Sequence, residues 1–192
     1  GERPIGGHAM AVMGYVDGPF LTAYMVTGLR EFLVKMYRDR EFALKLLELV
    51  TRFNCVQARK LTELGVDAII VGEDMADTRG PLANPRDLKN VTFPFLVREV
   101  EEARRTGTKV LIHSDGNTMP IFEDIAALGI DGYQAIEPDA GMDIALLKEK
   151  FGDRLCLIGN VDCGNTLTHG SPLQVVAEAR HVIESAGKGG GL

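Results

Sequence analysis

Four apolar runs in this chain are each followed at once by side chains able to carry a proton, a charge or a metal. Glu73-Asp74 follow Val66 to Val71, and His113-Ser114-Asp115-Gly116-Asn117 close the run that begins at Lys109. Glu137-Pro138-Asp139 follow Tyr133 to Ile136, and Asn160-Val161-Asp162-Cys163 follow Leu155 to Ile158. Loops are solvated, so a polar residue at any one of these places is ordinary; four in succession point to a site. His113 and Asp115 stand two apart, which on an extended chain puts both side chains on one side. Such a pair could ligate a metal through nitrogen and oxygen, or work as an oriented acid–base pair. A histidine satisfied by a neighbouring carboxylate is as common. Zinc would need a third protein ligand, for which Cys163 is a candidate by type. The residues expected to carry chemistry are His113, Asp115 and Glu137, with Glu73, Asp74, Asn117, Asn160 and Asp162 shaping the cavity or holding substrate. His8, His169 and His181 lack such partners and read as structural, and Met10, Met13 and Met25 as core.

These groups need a scaffold that gathers successive strand ends. Residues 9–16 form an apolar run closed by the turn signal Asp17-Gly18-Pro19. Apolar residues at three- and four-residue intervals from Leu29 to Leu64 (Phe32, Leu33, Met36, Phe42, Leu46, Leu49, Val50, Phe53) predict two helices broken near Asp39. Gly65 ends the second. Asn84-Pro85 reads as a helix N-cap, Pro94 interrupts that helix, and it runs on to about Arg105. Further helices are expected over 120–128, 143–151 and 172–186. Leu64-Gly65-Val66-Asp67-Ala68 recurs as Leu128-Gly129-Ile130-Asp131-Gly132, each a stop glycine feeding a strand.

Apolar strands joined by helices predict a parallel α/β sheet, as a (βα)8 barrel or an open doubly wound sheet. No glycine fingerprint follows any strand, which removes the best sign of a nucleotide-binding sheet. Five strands are too few for a barrel of eight, so they would be its consecutive middle members. In either architecture the active site forms at the C-terminal strand ends. Glu73, His113, Glu137 and Asn160 are therefore expected to converge there.

Composition narrows the partners. The 192 residues carry 21 Lys and Arg against 27 Asp and Glu, a net charge of −6, with no basic run. Nucleic acid is not an expected partner, and neither is a membrane, since no apolar stretch approaches the roughly 18 residues a span needs. Cys55, Cys156 and Cys163 are irregularly spaced and make no disulfide framework, which suits the cytoplasm. No secretory signal opens the chain, and it stops where Gly189-Gly190-Gly191 leads into Leu192. It is expected to be a single domain, an excerpt of a larger protein, poorly soluble when isolated because two sheet edges would stay unpaired.

Gly80-Pro81-Leu82-Ala83-Asn84-Pro85, then Pro94, then Lys109 through Asn117 resemble the uroporphyrinogen decarboxylase superfamily. So do Ile136-Glu137-Pro138, Gly159-Asn160-Val161-Asp162, the closing glycine triplet and Gly18-Pro19-Phe20. The resemblance covers nearly the whole chain and implies a TIM (β/α)8 barrel lacking its first strands and its last. It implies one of two chemistries. Decarboxylases of the superfamily take acetate carboxyls from a tetrapyrrole, uroporphyrinogen III to coproporphyrinogen III, without a cofactor, using an aspartate on an earlier strand. Methyltransferases of the superfamily use zinc to hold a thiol that accepts a methyl group from a cobalt corrinoid, with a corrinoid protein as a further partner. Their H-x-C motif follows the strand matching 109–113, and here Asp115 takes the cysteine's place. The segment from His113 to Asn117 favours the methyltransferase-like branch, with metal at His113, Asp115 and a further group. A barrel that binds corrinoid without chemistry is a third reading.

Overall fold

The computed structural model describes residues 4–5 and 8–192, with side chains from Met10 onward; Gly1-Glu2-Arg3 and the His8 side chain lie outside the described residues. Five strands form one sheet: β1 Met13–Asp17, β2 Ala68–Gly72, β3 Lys109–His113, β4 Gly132–Ile136 and β5 Cys156–Gly159. Each pairs parallel with the next in chain order, as expected, and the sheet is open, with β1 and β5 at its edges. The first strand is shorter than its apolar run. Residues 8–9 pair instead with 4–5 in a small antiparallel hairpin, and β1 begins at Met13.

Helices α1 Pro19–Thr27, α2 Leu29–Arg38 and α3 Arg40–Glu63 lie between β1 and β2. Next come α4 Phe93–Arg104, α5 Phe122–Ala126 and α6 Ile144–Phe151, one before each following strand, and α7 Pro172–Ala186 follows β5. The predicted break is at Asp39, whose carboxylate accepts the Phe42 amide at 3.2 Å and caps α3. Around Pro94 the helix widens rather than stopping. Pro94 has no N–H and its ring would crowd the carbonyl four residues back. The turn over Leu88–Thr92 is π-helical, closed by the Phe93 amide on the Leu88 carbonyl, and α4 runs on from there. Among the described residues no helix is long and apolar enough to cross a membrane.

Strand alternation sorts the side chains. Val16, Ile69, Val71, Val110, Ile112, Tyr133 and Leu157 join Phe20, Phe32, Met36, Leu47, Leu96 and Phe122 in the core beneath the helices. The alternate positions, among them Met13, Tyr15, Lys109, His113 and Gln134, face the concave side of an incomplete barrel. That side explains a correction. Met10, Met13 and Met25 are not core but 50%, 53% and 66% exposed, Met13 because it faces inward on an edge strand and Met25 because α1 buries its other flank. On α3 the buried stripe is Ala43, Leu47, Val50 and Ala58, while Leu49 and Phe53 face outward.

The internal echo has a physical basis. Gly65 and Gly129 both take positive φ, +75° and +79°, where glycine closes a helix without strain. Two residues on, the Asp67 carboxylate accepts the Val12 amide at 2.7 Å, and Asp131 accepts that of Val110 at 3.0 Å. Their own amides return to the Val12 and Val110 carbonyls. Each aspartate thus clamps its strand to the preceding one and sets the register.

Candidate functional site

Register brings the chemistry together. Asp17, Gly72, His113 and Gln134 are mutual partners across β1 to β4 and form one row at the C-terminal end of the sheet. Nδ1 of His113 meets the Gln134 side-chain oxygen, a contact that calls for a hydrogen on Nδ1 because an amide oxygen only accepts. Nε2 faces Asp74 Oδ1 at 3.5 Å and Asp115 Oδ2 at 3.9 Å. One ligand atom from each of Asp74, His113 and Asp115 lies within 4.8 Å of the others. Three atoms able to bind a metal converge, and the Asp115 amide reaches Asp74 Oδ1 only at 3.4 Å. A cation there would offset the two carboxylate charges, and one nitrogen with two carboxylate oxygens suits zinc, manganese or iron(II). Cys163 is exposed and stands outside the trio; Asp74 takes the place anticipated for it.

The loop after β3 is tied on three sides. The Ser114 hydroxyl accepts the Met75 amide at 3.0 Å, and the buried Tyr133 hydroxyl donates to the Ser114 carbonyl at 2.8 Å. The Gly116 amide donates to Glu137 Oε2 at 2.8 Å, so Glu137 braces the loop that carries Asp115. Asn117 is also structural: its amide reaches the Asp77 carbonyl at 2.8 Å and its side chain accepts from Met119 at 3.1 Å. Gly116 has φ +81°, and a Cβ there would lie 2.7 Å from the Ala76 carbonyl carbon and the Asp77 oxygen, both backbone. Gly116→Ala is therefore expected to cost about 3 kcal/mol in urea denaturation and to loosen Asp115.

The other expected residues separate. Glu73 is fully buried and faces the helices: its carboxylate accepts the Phe20 amide at 2.9 and 3.1 Å and that of Leu21 at 3.1 Å. It holds the N-terminus of α1 and does not open into the cavity. Gly18 makes room for it, since a Cβ there would sit 2.2 Å from Oε2. Burial outweighs these bonds and pushes the Glu73 carboxyl up to about 8. Asn160 takes φ +68° and donates to the Ile136 and Met142 carbonyls at 3.1 and 2.8 Å. Asp162 accepts the Asn165 amide at 2.9 Å and its side-chain nitrogen at 3.0 Å, ordering the loop after β5. Asp115, Gln134, Glu137, Asn160 and Cys163 line a hollow of about 210 Å³ at this end of the sheet. A larger hollow of about 670 Å³ lies on the helical exterior, bounded by Arg52, Arg59, Arg98 and Arg105, away from the strand ends. Three of these arginines are engaged in surface pairs: Arg59–Glu102 at 2.7 Å, Arg98–Glu48 at 2.6 Å and Arg105–Glu102 at 3.1 Å.

Tyr15 and Gln134 are site residues that sequence reasoning missed. A Cβ on Gly72 would lie 1.8 Å from the Tyr15 hydroxyl, so the phenol crosses β2 through the space glycine leaves. Desolvation, then the charges of Asp17 and Asp74, raise it to about 12, which keeps it a neutral donor. The available signal was inward alternation on β1 and β4, where Tyr15 and Gln134 share a face with His113.

The family model "Uroporphyrinogen decarboxylase (URO-D)" matches residues 5–191. A uroporphyrinogen decarboxylase of Chlorobium phaeovibrioides is 31% identical over 160 residues, covering 80% of this chain and 41% of that protein. The methylcobamide:CoM methyltransferase MtaA of Methanosarcina barkeri is 26% identical over 180 residues, covering 93% and 50%. In fold, the chain superposes on a methyltransferase from Methanosarcina mazei with a TM-score of 0.81 at 24% identity, covering 93% of this chain and 51% of that one. This chain spans about half the length of the relatives it matches. The sheet order, the motifs and the family match agree: the chain belongs to the uroporphyrinogen decarboxylase (URO-D) family.

Proposed function

We propose that this chain is part of a metal-assisted methyltransferase that moves a methyl group between a corrinoid and a thiol or similar acceptor. The observation that carries the reading is the convergence of Asp74, His113 and Asp115 on one point at the strand ends. Decarboxylation of a porphyrinogen calls for no such donor set. His113, Asp74 and Asp115 would hold zinc or a similar divalent ion. Bound there, such an ion lowers the pKa of a thiol or water set against it. Glu137 keeps the Asp115 loop in place through the Gly116 amide, and the Tyr15 hydroxyl donates to a substrate lying on the concave face. Oxygen from Asp115 in place of a cysteine thiolate makes the donor set harder than a thiolate site, while the charge of the ligands is kept.

The decarboxylase reading draws on the 31% identical relative. One experiment separates the two. The full-length protein, given methylcobalamin and a simple thiol, is expected to convert the methylcobalamin spectrum to that of the demethylated corrinoid, and a chelator should stop the reaction. Chelator-resistant formation of coproporphyrinogen from uroporphyrinogen, with no methyl transfer, would instead establish the decarboxylase.

A further inference from the structure

We infer that Gln134 is the positioning residue that sets which nitrogen of His113 faces the two carboxylates. The geometry is independent of the metal reading above; its consequence for metal affinity rests on that reading. Gln134 is the direct register partner of His113 on the neighbouring strand, and its carbonyl oxygen meets Nδ1. Left to itself in water, a neutral imidazole favours the proton on Nε2. Here that would put a hydrogen between His113 and the carboxylates and leave no lone pair for a cation.

The backbone of β4 is arranged to keep Gln134 where it is. In a regular strand Gln134 and Ile136 would point to the same face. Instead Ile136 is packed in the core, 1% exposed, three residues after the equally buried Tyr133. The register shifts between Gln134 and Ile136, and the intervening Ala135 takes φ +75°, a left-handed conformation that a non-glycine residue adopts only at a cost. This bulge lets the strand bury Tyr133 and Ile136 while Gln134 stays inward against His113. It also brings Glu137 to the Gly116 amide. A locally costly turn thus serves two braces of the same loop and strand end.

The test reads the ring directly. Nitrogen-15 NMR of histidine-labelled, metal-free protein at pH 8.5, with His113 assigned by difference from His113→Gln, reports the tautomer. The wild type is expected to show the Nδ1–H form. Gln134→Leu, which removes the acceptor, is expected to show the Nε2–H form, and Gln134→Glu, which keeps one, should restore Nδ1–H. Zinc titration should find affinity lowered about 10- to 100-fold in Gln134→Leu and largely recovered in Gln134→Glu. A wild-type ring already in the Nε2–H form, or one unchanged by Gln134→Leu, overturns the inference. A tautomer shift as expected in a protein that binds no zinc leaves Gln134's role standing and removes the metal reading alone.

Discussion

Alanine at His113 is expected to weaken zinc binding by more than about 100-fold, beyond what loss of an outer hydrogen bond brings. The imidazole is the one neutral donor of the trio and the most enclosed, 21% exposed against 35% for Asp74 and 63% for Asp115. Without it two carboxylates remain, and their mutual repulsion spreads them into water. Asp74→Asn should cost more than Asp115→Asn, because the more enclosed carboxylate is less screened and less easily replaced by solvent. Competition against a chromophoric chelator measures all three. Equal zinc affinity in His113→Ala and wild type would remove the site from consideration.

The second large effect is on stability against pH. Glu73 and Glu99 are both fully buried carboxyls. Glu99 lies on the core side of α4 with neither oxygen hydrogen-bonded. The neighbouring Asn54 amide lowers its pKa only in part, because the Asn54 nitrogen is committed to the Asp17 carbonyl at 2.5 Å and the Thr22 hydroxyl at 3.2 Å. Burial and the neighbouring Glu73 push the Glu99 carboxyl well above its ordinary value, and burial carries Glu73 to about 8. A raised carboxyl keeps its proton in the folded state after the unfolded chain has released it. Its stabilising contribution is complete below the unfolded value near 4.5 and is lost as pH rises toward the folded one. For Glu73 the loss is on the order of 5 kcal/mol across that window. Glu99→Met replaces an unpartnered acid with an apolar chain of similar length. It should stabilise the fold by about 1–3 kcal/mol at pH 5, and by more at pH 8. Glu73→Gln should also flatten the pH dependence, but at the cost of bonds to the α1 amides. Urea denaturation at several pH values checks both; a Glu99→Met advantage that shrinks as pH rises would contradict the assignment.

Much of the fold was legible because it rests on local chemistry. The stop glycines at 65 and 129, the helix break near Asp39, the Asn84 cap and the apolar runs each dictate their element without reference to the rest of the chain. Pro94 marked a disturbance whose form, a widened turn, depended on how the helix could absorb a missing donor. The side of burial was harder. Met13 is apolar enough for a core, yet it lies on the concave face of an edge strand, which only the sheet order reveals. In the site, His113 and Asp115 were visible as an extended pair. Asp74 reaches them because β2 and β3 are adjacent, which makes it a candidate ligand where sequence suggested substrate contact. Glu73, next to it, faces the opposite way by strand alternation. Gln134 meets His113 only through register, and the bulge at Ala135 has no clear mark in the sequence.

Sheet order equal to chain order also shapes how this protein can acquire its structure. Each strand after the first pairs with the strand before it, so once the long β1–β2 connection has closed, the remaining closure entropy is met in shorter instalments. During synthesis β2 can dock on β1 as soon as α3 has formed, and each later strand–helix pair adds to an existing template. The aspartate clamps at 67 and 131 act at two of these additions, checking alignment against Val12 and Val110 before the next unit arrives. The residues around His113 are completed at the third addition, when Gln134 on the fourth strand comes alongside, so the site is assembled before the last of the five strands.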